Sequence, residues 1–333
     1  MATQVMTDAG ARAPFTLPLL LRHPALAWVP RVRLGSFPTP VERVATPAGE
    51  LWLKRDDLSG QTLGGNKVRA LEFLLAGAGP GDEVLTVGAR GSTHALATAV
   101  YGKHLGARVT VLRWRQEMTA GAHAVAKRTA HTAHETIDAF SPVDAMMRAM
   151  LIRLRRRPRW VPAGGTSALG ALGHVNAALE LAEQIAAGRL PVPARVVVPL
   201  GSGGTAAGLA LGFAMAGVDT TLVCASVAPR IIANKARVLR IANACARLIE
   251  RSTGAHIARP DARRLVVEHG EYGGAYGRET ERGREATRWM HATHGVSLDP
   301  TYSAKALAVV LGVPVPGPTL FWLTYDARAA RAS

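Results

Sequence analysis

The sequence has 333 residues, 48% of them hydrophobic, so it is long enough for two packed lobes and too apolar for a disordered chain. No apolar run approaches the ~18 residues of a membrane span, and the two cysteines, Cys224 and Cys245, argue against a disulfide framework and favour a reducing cytoplasm. The net charge of +16 would suit a nucleic-acid surface, but aromatic residues make up only 5% and the excess arginine is scattered, which favours a solvated basic surface.

The predicted elements begin with an apolar arm and continue as strands that alternate with helices. The arm, residues 15–29, is interrupted by Arg22, His23 and two prolines, so we interpret it as a packing segment rather than a signal peptide. Apolar spacing predicts strands over 50–54, 83–88 and 107–112 and helices over 68–78 and 92–105. A polar, glycine-rich loop, residues 55–66, precedes the first of these helices.

The second half repeats the alternation of strand and helix. Strands are predicted over 195–200 and 220–227, with a glycine loop over 201–204 and a helix of small residues ending near residue 216 between them. Strands that alternate with helices indicate an α/β fold with parallel sheets flanked by helices. No linker marks a boundary between lobes, and residues 158–165 are the best candidate for a crossing between them.

The first chemical motif is a glycine turn that opens a predicted helix, Gly64-Gly65-Asn66-Lys67. Two glycines let the backbone approach a ligand closely. Desolvation and neighbouring positive charge would lower the pKa of Lys67 and make it a usable nucleophile and base. Taken alone, however, the pattern favours an ordinary surface lysine that follows a turn.

The second motif is more specific, because a buried strand runs into Gly201-Ser202-Gly203-Gly204-Thr205 and then into a helix. Successive backbone N–H groups at such a helix start form an anion-binding nest. No Gly-Lys-Ser/Thr follows, so the loop is not a nucleotide P-loop. The alternative is a tight turn without a ligand, but the run of small and hydroxyl residues exceeds what a turn requires, which favours phosphate binding.

The two motifs in this order resemble the fold-type II pyridoxal-5'-phosphate enzymes, the tryptophan synthase β family. The segments 54–58, 64–69, 165–176 and 298–306 resemble the branch of D-cysteine desulfhydrases and 1-aminocyclopropane-1-carboxylate (ACC) deaminases. The resemblance implies two lobes with the active site between them. Residues 1–66 and 166–333 would form the large, phosphate-binding domain, and residues 67–165 a small domain inserted in it.

The resemblance also assigns site residues. Lys67 would hold the cofactor as a Schiff base and act in catalysis with Tyr302 and Ser92. The cofactor would also meet Thr93, Thr324 and the loop residues Gly201, Ser202, Gly203, Gly204 and Thr205. The substrate would meet Ser92, Thr93, His94, Tyr276, Tyr302 and Ser303.

Two departures from the family pattern bear on activity. Thr93 stands where the family usually has an asparagine that binds the cofactor's 3'-oxygen, and Tyr325 stands beside the ring where the family has glycine. Ser303 and Thr324 resemble the desulfhydrases, whereas the deaminases have glutamate and leucine there. The resemblance therefore implies β-elimination on a small amino acid, with release of pyruvate, ammonia and sulfide. ACC deaminase and a cofactor-binding protein with weak or lost catalysis are the alternatives.

The remaining expectations concern partners and isolated polar residues. The resemblance implies a homodimer with a small amino-acid substrate, and neither a nucleic acid nor a membrane is expected as partner. His131, His134 and Glu135 are too weak a pattern for a metal site and indicate a solvated helix face. Cys224 is expected to be a buried small residue. Asn176 and Glu180 lie four residues apart on a predicted helix and would pair with each other or cap a helix end.

Overall fold

In the computed structural model, which describes residues 17–46 and 49–330, the strands form two separate sheets. The larger sheet has six strands in the order β1-β2-β10-β7-β8-β9, and only β1 runs antiparallel to its neighbour. The smaller sheet has four parallel strands in the order β5-β4-β3-β6. This arrangement confirms the predicted α/β fold with parallel sheets.

The elements have the following bounds. The larger sheet contains β1 Val41–Thr46, β2 Gly49–Arg55, β7 Arg195–Leu200, β8 Thr221–Ser226, β9 Leu265–Glu268 and β10 Thr319–Leu323. The smaller sheet contains β3 Glu83–Ala89, β4 Arg108–Trp114, β5 Glu135–Ala139 and β6 Arg159–Val161. The helices are α1 Pro18–Arg22, α2 Lys67–Leu74, α3 Thr93–His104, α4 Ala120–Thr132, α5 Pro142–Arg156, α6 Ala168–Ala186, α7 Gly204–Ala216, α8 Lys235–Thr253, α9 Glu281–His294 and α10 Ser303–Gly312.

Strand β7 shows why the central strands are continuously apolar. Val196 and Val198 pack into one core cluster with residues of α6, α7 and α8, whereas Val197 packs into another with residues of α9 and α10. Both faces of the sheet are therefore covered by helices. A strand buried on two faces needs an apolar side chain at every position, which produces the run of valines that predicted it.

The strongly periodic predictions are confirmed to within one or two residues, except that the helix predicted over 68–78 ends at Leu74. Leu75 already has non-helical dihedral angles, and the chain turns through Gly77 at a φ of 75°. Residues 158–165 contain β6, which pairs with β3 in the smaller sheet, and they lead into α6, which packs in the core of the larger sheet. The division into two domains at residues 66 and 166 stays a prediction.

The N-terminal arm packs on the larger sheet's helices, as predicted for residues 17–29; Phe15 lies outside the described residues. Leu17, Leu19 and Leu26 are buried in the same core cluster as α6. The amide of Leu19, in the first turn of α1, donates to Asn176 Oδ1 at 3.1 Å, so Asn176 caps another helix and does not pair with Glu180. Cys224 and Cys245 are buried and free, as expected of small core residues.

The predicted shared helix face of His131, His134 and Glu135 is wrong. His131 lies in the last turn of α4, His134 lies between α4 and β5, and Glu135 begins β5. No group of three potential metal ligands occurs in the described part of the chain. Within residues 17–46 and 49–330, no helix is both long enough and apolar enough to cross a bilayer.

Candidate active site

The candidate site is formed by loops that follow the carboxyl ends of strands from both sheets. The loops after β3, β7 and β10 carry Ser92, Gly201–Gly203 and Thr324, and α2 begins there with Lys67. Open α/β sheets bind ligands at this edge of their strands. The site therefore lies between the two sheets, and each sheet contributes part of it.

The turn before α2 fixes the position of Lys67. Gly65 has a φ of 100°, and a Cβ there would lie 2.8 Å from the carbonyl oxygen of Thr324, so only glycine fits without strain. The same carbonyl accepts the amide of Asn66 at 3.0 Å. The end of β10 is thus bonded to the start of α2, which holds Lys67 at the first helical position.

Lys67 is half-buried and carries a positive charge with no nearby compensation. Among the described residues it makes no hydrogen bond or ion pair, and burial alone lowers its pKa to about 8. Burial and the charge of Lys67 lower the pKa of His94 to about 3, and they also lower the pKa of His174 well below its usual value. The two imidazoles are neutral, and a substantial fraction of the lysine is an unprotonated amine near neutral pH.

The start of α7 is built to accept an anion. Gly203 precedes the helix with a φ of 98°, and no side chain caps the N–H groups of the first turn. Ser202 is held in place from two sides, since its hydroxyl accepts Thr166 Oγ1 at 2.6 Å and its carbonyl accepts Arg237 Nε at 3.0 Å. Free N–H groups together with the helix dipole favour a phosphate or carboxylate at this end of the 13-residue helix.

A short chain of polar groups joins the lysine turn to the anion-binding helix. Asn66 Nδ2 donates to Thr205 Oγ1 at 2.8 Å, and Thr205 Oγ1 lies 3.4 Å from His174 Nε2. No motif in the sequence indicated a role for Asn66, His174 or Thr166. A histidine within the apolar and small residues at the start of α6 is the signal that could have identified His174.

A second helix start faces the same cleft. Ser92 is the N-cap of α3, and its hydroxyl accepts the amide of Ala95 at 3.3 Å. Ser92 and Thr93 are half-buried, whereas His94 is buried with Nε2 3.4 Å from Thr86 Oγ1. Two N-terminal helix ends, those of α3 and α7, therefore face one cleft and favour negative charge at two places.

Two tyrosines close the site on the side of the larger sheet. The hydroxyl groups of Tyr302 and Tyr276 hydrogen-bond each other, and their rings meet edge to face with centroids 6.0 Å apart. Tyr302 lies beside the loop after β7, since a Cβ on Gly201 would be 3.6 Å from its Cε1. Burial raises the pKa of Tyr276 to about 12 and that of Tyr302 well above its usual value, so both keep their protons at neutral pH.

Ser303 and Thr324 are both buried. Thr324 lies just after β10, and its backbone carbonyl accepts the amide of Asn66. Ser303 is fully buried at the start of α10, where its amide donates to Asp299 Oδ2 at 3.0 Å and its hydroxyl lies beside the same carboxylate. The Nδ1 atom of His174 is buried and has no hydrogen-bond partner among the described residues. Buried polar atoms without partners are rare, which points to a polar ligand as the missing partner.

The arrangement suits a ligand that has a phosphate group and a carbonyl able to react with an amine. A family model described as pyridoxal-phosphate dependent enzyme matches residues 32–316. A D-cysteine desulfhydrase of Salmonella choleraesuis (strain SC-B67) is 34% identical over 90% of this chain and 95% of its own length. The D-cysteine desulfhydrase of Salmonella paratyphi C (strain RKS4594) is 33% identical over the same shares.

Solved structures agree with this likeness. The crystal structure of a protein described as an ACC deaminase homologue has a TM-score of 0.75 and 30% identity, with 91% of this chain and 93% of that chain covered. The processed form of threonine deaminase isoform 2 from Solanum lycopersicum has a TM-score of 0.60 at 14% identity, with 95% of this chain and 84% of that chain covered, which bears on the fold alone.

Proposed function

The chain belongs to the family of pyridoxal-phosphate dependent enzymes, and we propose that it is a lyase that carries out β-elimination on a small amino acid, with D-cysteine as the substrate to test first. The observation that carries this proposal is Lys67, an amine without a counter-ion, joined through Asn66 and Thr205 to an uncapped helix start. An attachment lysine and a phosphate site are the two features that pyridoxal phosphate requires.

The residues present fit this cofactor. The uncapped start of α7 and the loop Gly201–Thr205 would hold the phosphate, and Lys67 would hold the aldehyde carbon covalently. The buried Nδ1 of His174, which has no partner among the described residues, is a polar atom that a ligand could satisfy. When bound, pyridoxal phosphate supplies an electron sink that stabilises negative charge at the substrate's α-carbon.

Lys67 acts twice in the proposed reaction. Its unprotonated amine attaches the cofactor, and after the amine of the substrate has displaced it, the freed Nζ takes the α-proton. A pKa of about 8 suits both steps, because a base works best when its pKa lies near the working pH. His94 and His174 have much lower pKa values and remain neutral hydrogen-bonding groups.

The tyrosine pair protonates the leaving group. Both hydroxyl groups stay protonated at neutral pH, so Tyr302 donates a proton to the sulfur that leaves rather than taking one from carbon. Tyr276 keeps that proton aligned through the bond between the two hydroxyls. The start of α3 at Ser92 and Thr93 binds the substrate carboxylate, because a helix N-terminus stabilises negative charge.

Ser303 and Thr324 favour elimination over cyclopropane opening. In the resemblance to this branch, deaminases have an acidic and an aliphatic residue at these two positions. Neutral hydroxyl groups at these positions would leave the ring of a bound cofactor largely unprotonated. The cofactor would then be a weaker electron sink, which would still suffice for loss of a good leaving group such as a β-thiolate.

The test is a substrate comparison on the purified, cofactor-loaded enzyme. We expect pyruvate, ammonia and sulfide from D-cysteine, pyruvate from β-chloro-D-alanine, and little 2-oxobutyrate from ACC. L-cysteine is the stereochemical control. Tyr302→Phe is expected to slow the release of sulfide more than that of chloride, since chloride needs no proton, whereas Tyr272→Phe outside the cleft should not. Faster turnover of ACC would overturn the proposal, and no turnover of any amino acid would favour the non-catalytic alternative.

The proposal also covers the oligomeric state of the protein and its location in the cell. A homodimer is expected from the family resemblance and is tested by light scattering of the purified protein. We also propose a cytoplasmic location, which the two buried, unpaired cysteines support. Fractionation of the source cells checks this location.

A further inference from the structure

A cavity of about 450 Å³ lies away from the candidate active site, on the face of the larger sheet that α9 and α10 cover. Its floor includes the first residues of β7 and β8, Arg195 and Thr221. The active-site loop follows the other end of β7. The two sites are thus separated by the length of the strand, and a cavity of this size is typical of small-molecule sites.

Arg195 is a buried charged group in this cavity. It is 7% exposed, and its Nε and Nη2 donate to Thr319 Oγ1 and to the carbonyl of Val310, both at 3.0 Å. Nη1 makes no hydrogen bond, and no carboxylate lies within ion-pair distance among the described residues. Burial lowers the pKa of Arg195 with nothing to oppose the change. A buried guanidinium without an anion is costly, and arginine is suited to binding a carboxylate.

The remaining residues that line the cavity determine which other groups a bound anion could carry. Val223, Val309, Val313 and Val315 line the cavity, so an aliphatic group would be buried next to Arg195. The second lining arginine, Arg282, is already paired with Glu271 at 2.9 Å. Glu268 also lines the cavity, so a second negative group directed towards the acidic side would be repelled.

We propose that this cavity is a binding site for an aliphatic monocarboxylate, with the carboxylate on Arg195 and the hydrocarbon chain against the valine wall. The proposal concerns a site separate from the one that holds the cofactor, and it does not depend on which amino acid the enzyme acts on. The charges and the apolar lining of the cavity accommodate a ligand with one negative group and one apolar tail.

The test is calorimetric titration of the cofactor-loaded protein with hexanoate, 1-hexanol and adipate. Hexanoate should bind with a dissociation constant in the millimolar range, as expected for so small a ligand. The alcohol lacks the charge, and adipate brings a second carboxylate towards Glu268, so both should bind at least about tenfold more weakly.

Matched variants separate this cavity from the active site. Arg195→Met removes the charge and keeps the buried stem, and should weaken hexanoate binding about tenfold or more. Arg108→Met, at the first residue of β4 in the other sheet, is the control and should have no effect. Val313→Asp should also weaken binding, and Val192→Asp should not; both valines are about half exposed, so the fold should tolerate either change.

Two results would overturn the proposal. One is the absence of saturable hexanoate binding at tens of millimolar. The other is unchanged hexanoate affinity in both Arg195→Met and Val313→Asp, which would show that hexanoate binds elsewhere, as at the substrate carboxylate site. The ultraviolet–visible spectrum of each variant checks that the cofactor remains bound.

Discussion

Two buried lysines thirteen positions apart, Lys54 and Lys67, lie in opposite electrostatic surroundings. Lys54 donates to Glu180 Oε1 at 2.5 Å, Gln184 Oε1 at 2.7 Å and the carbonyl of Thr39 at 2.7 Å. Lys67 has no hydrogen-bond or ion-pair partner among the described residues. The first lysine is part of the structure, and the second is free to react.

Lys54 belongs to an ion cluster formed by Lys54, Asp56, Arg69 and Glu180, all at most 1% exposed. Arg69 joins the two carboxylates, with contacts of 2.7 Å to Asp56 and 3.0 Å to Glu180. Burial works to raise the pKa of both carboxyls, but Arg69 and Lys54 outweigh it and lower them. The cluster therefore places two basic side chains next to two acidic ones, and burial also lowers the pKa of Lys54.

The difference shows how one residue type obtains two roles. A buried charge that is paired and hydrogen-bonded connects elements, here β2, α2 and α6. Burial lowers the pKa of both amines, but Lys54 is held by its partners, whereas the half-buried Lys67 has none among the described residues and is free to act as a nucleophile. Arg69, two residues after Lys67 on α2, links the two regions, since the ion cluster anchors the helix that begins with the reactive lysine.

The largest expected effect comes from removing the reactive amine. Lys67→Ala should lower kcat by about 10³-fold or more, because both the covalent attachment and the base are lost. Borohydride reduction followed by peptide mass spectrometry should find no modified lysine. The matched control is Lys305→Met, since burial also lowers the pKa of Lys305 to about 8. A reduced adduct on Lys305 in the Lys67→Ala protein would refute the assignment.

The second prediction compares the stabilities of two variants in which a lysine is replaced by methionine. Lys54→Met should lower the free energy of unfolding by about 3–5 kcal/mol, since it leaves a buried carboxylate short of its partner. Lys67→Met should leave the cofactor-free protein as stable or more stable, since it removes an uncompensated buried charge. Urea denaturation of the two cofactor-free variants measures both. Equal losses in the two proteins would show that the contrast between the lysines is not electrostatic.

The sequence predicted the reactive region better than the ion cluster, for a physical reason. Lys67 and the loop after β7 lie in short motifs whose glycines and strand-to-helix order are local features. The ion cluster depends on pairs far apart in the chain, such as Lys54 with Glu180, and no local period encodes them. The only sequence feature that pointed to the ion cluster was the presence of charged residues within apolar runs, such as Glu180 in α6. The short strands β5 and β6 were missed because three to five residues carry little periodicity.

The third prediction tests whether the reactive region extends to the start of α7. Gly203→Val places a branched side chain at a φ of 98°, with its Cβ 3.3 Å from Ile241 Cδ1, where backbone N–H groups must face a phosphate. Affinity for pyridoxal phosphate should fall about 10- to 100-fold, since charge-assisted hydrogen bonds are lost. Gly217→Val, at a φ of 66° after the same helix, is the strained control and should titrate normally. Unchanged cofactor titration in Gly203→Val would exclude this loop.

The fourth prediction follows from the lowered pKa of Lys67. The amine reacts only when unprotonated, and its pKa of about 8 lies below the ordinary lysine value of 10.5. The rate at which the cofactor-free protein takes up pyridoxal phosphate should therefore rise about tenfold per pH unit below 8 and level off above it. Stopped-flow absorbance measures the rate. A rise that continues to pH 10 would mean that Lys67 is not desolvated in solution.

The smallest expected effect concerns Thr93, the first residue of α3, whose hydroxyl makes no hydrogen bond among the described residues. An asparagine there would reach the 3'-oxygen of the cofactor with its amide, as the family resemblance implies. Thr93→Asn should raise kcat several-fold, since one such hydrogen bond contributes ~0.5–1.5 kcal/mol. Thr93→Val keeps the shape without the hydroxyl and should lower kcat if threonine partly fills the role. A fall with asparagine and no change with valine would mean that this helix start contacts only the substrate carboxylate, through its backbone N–H groups.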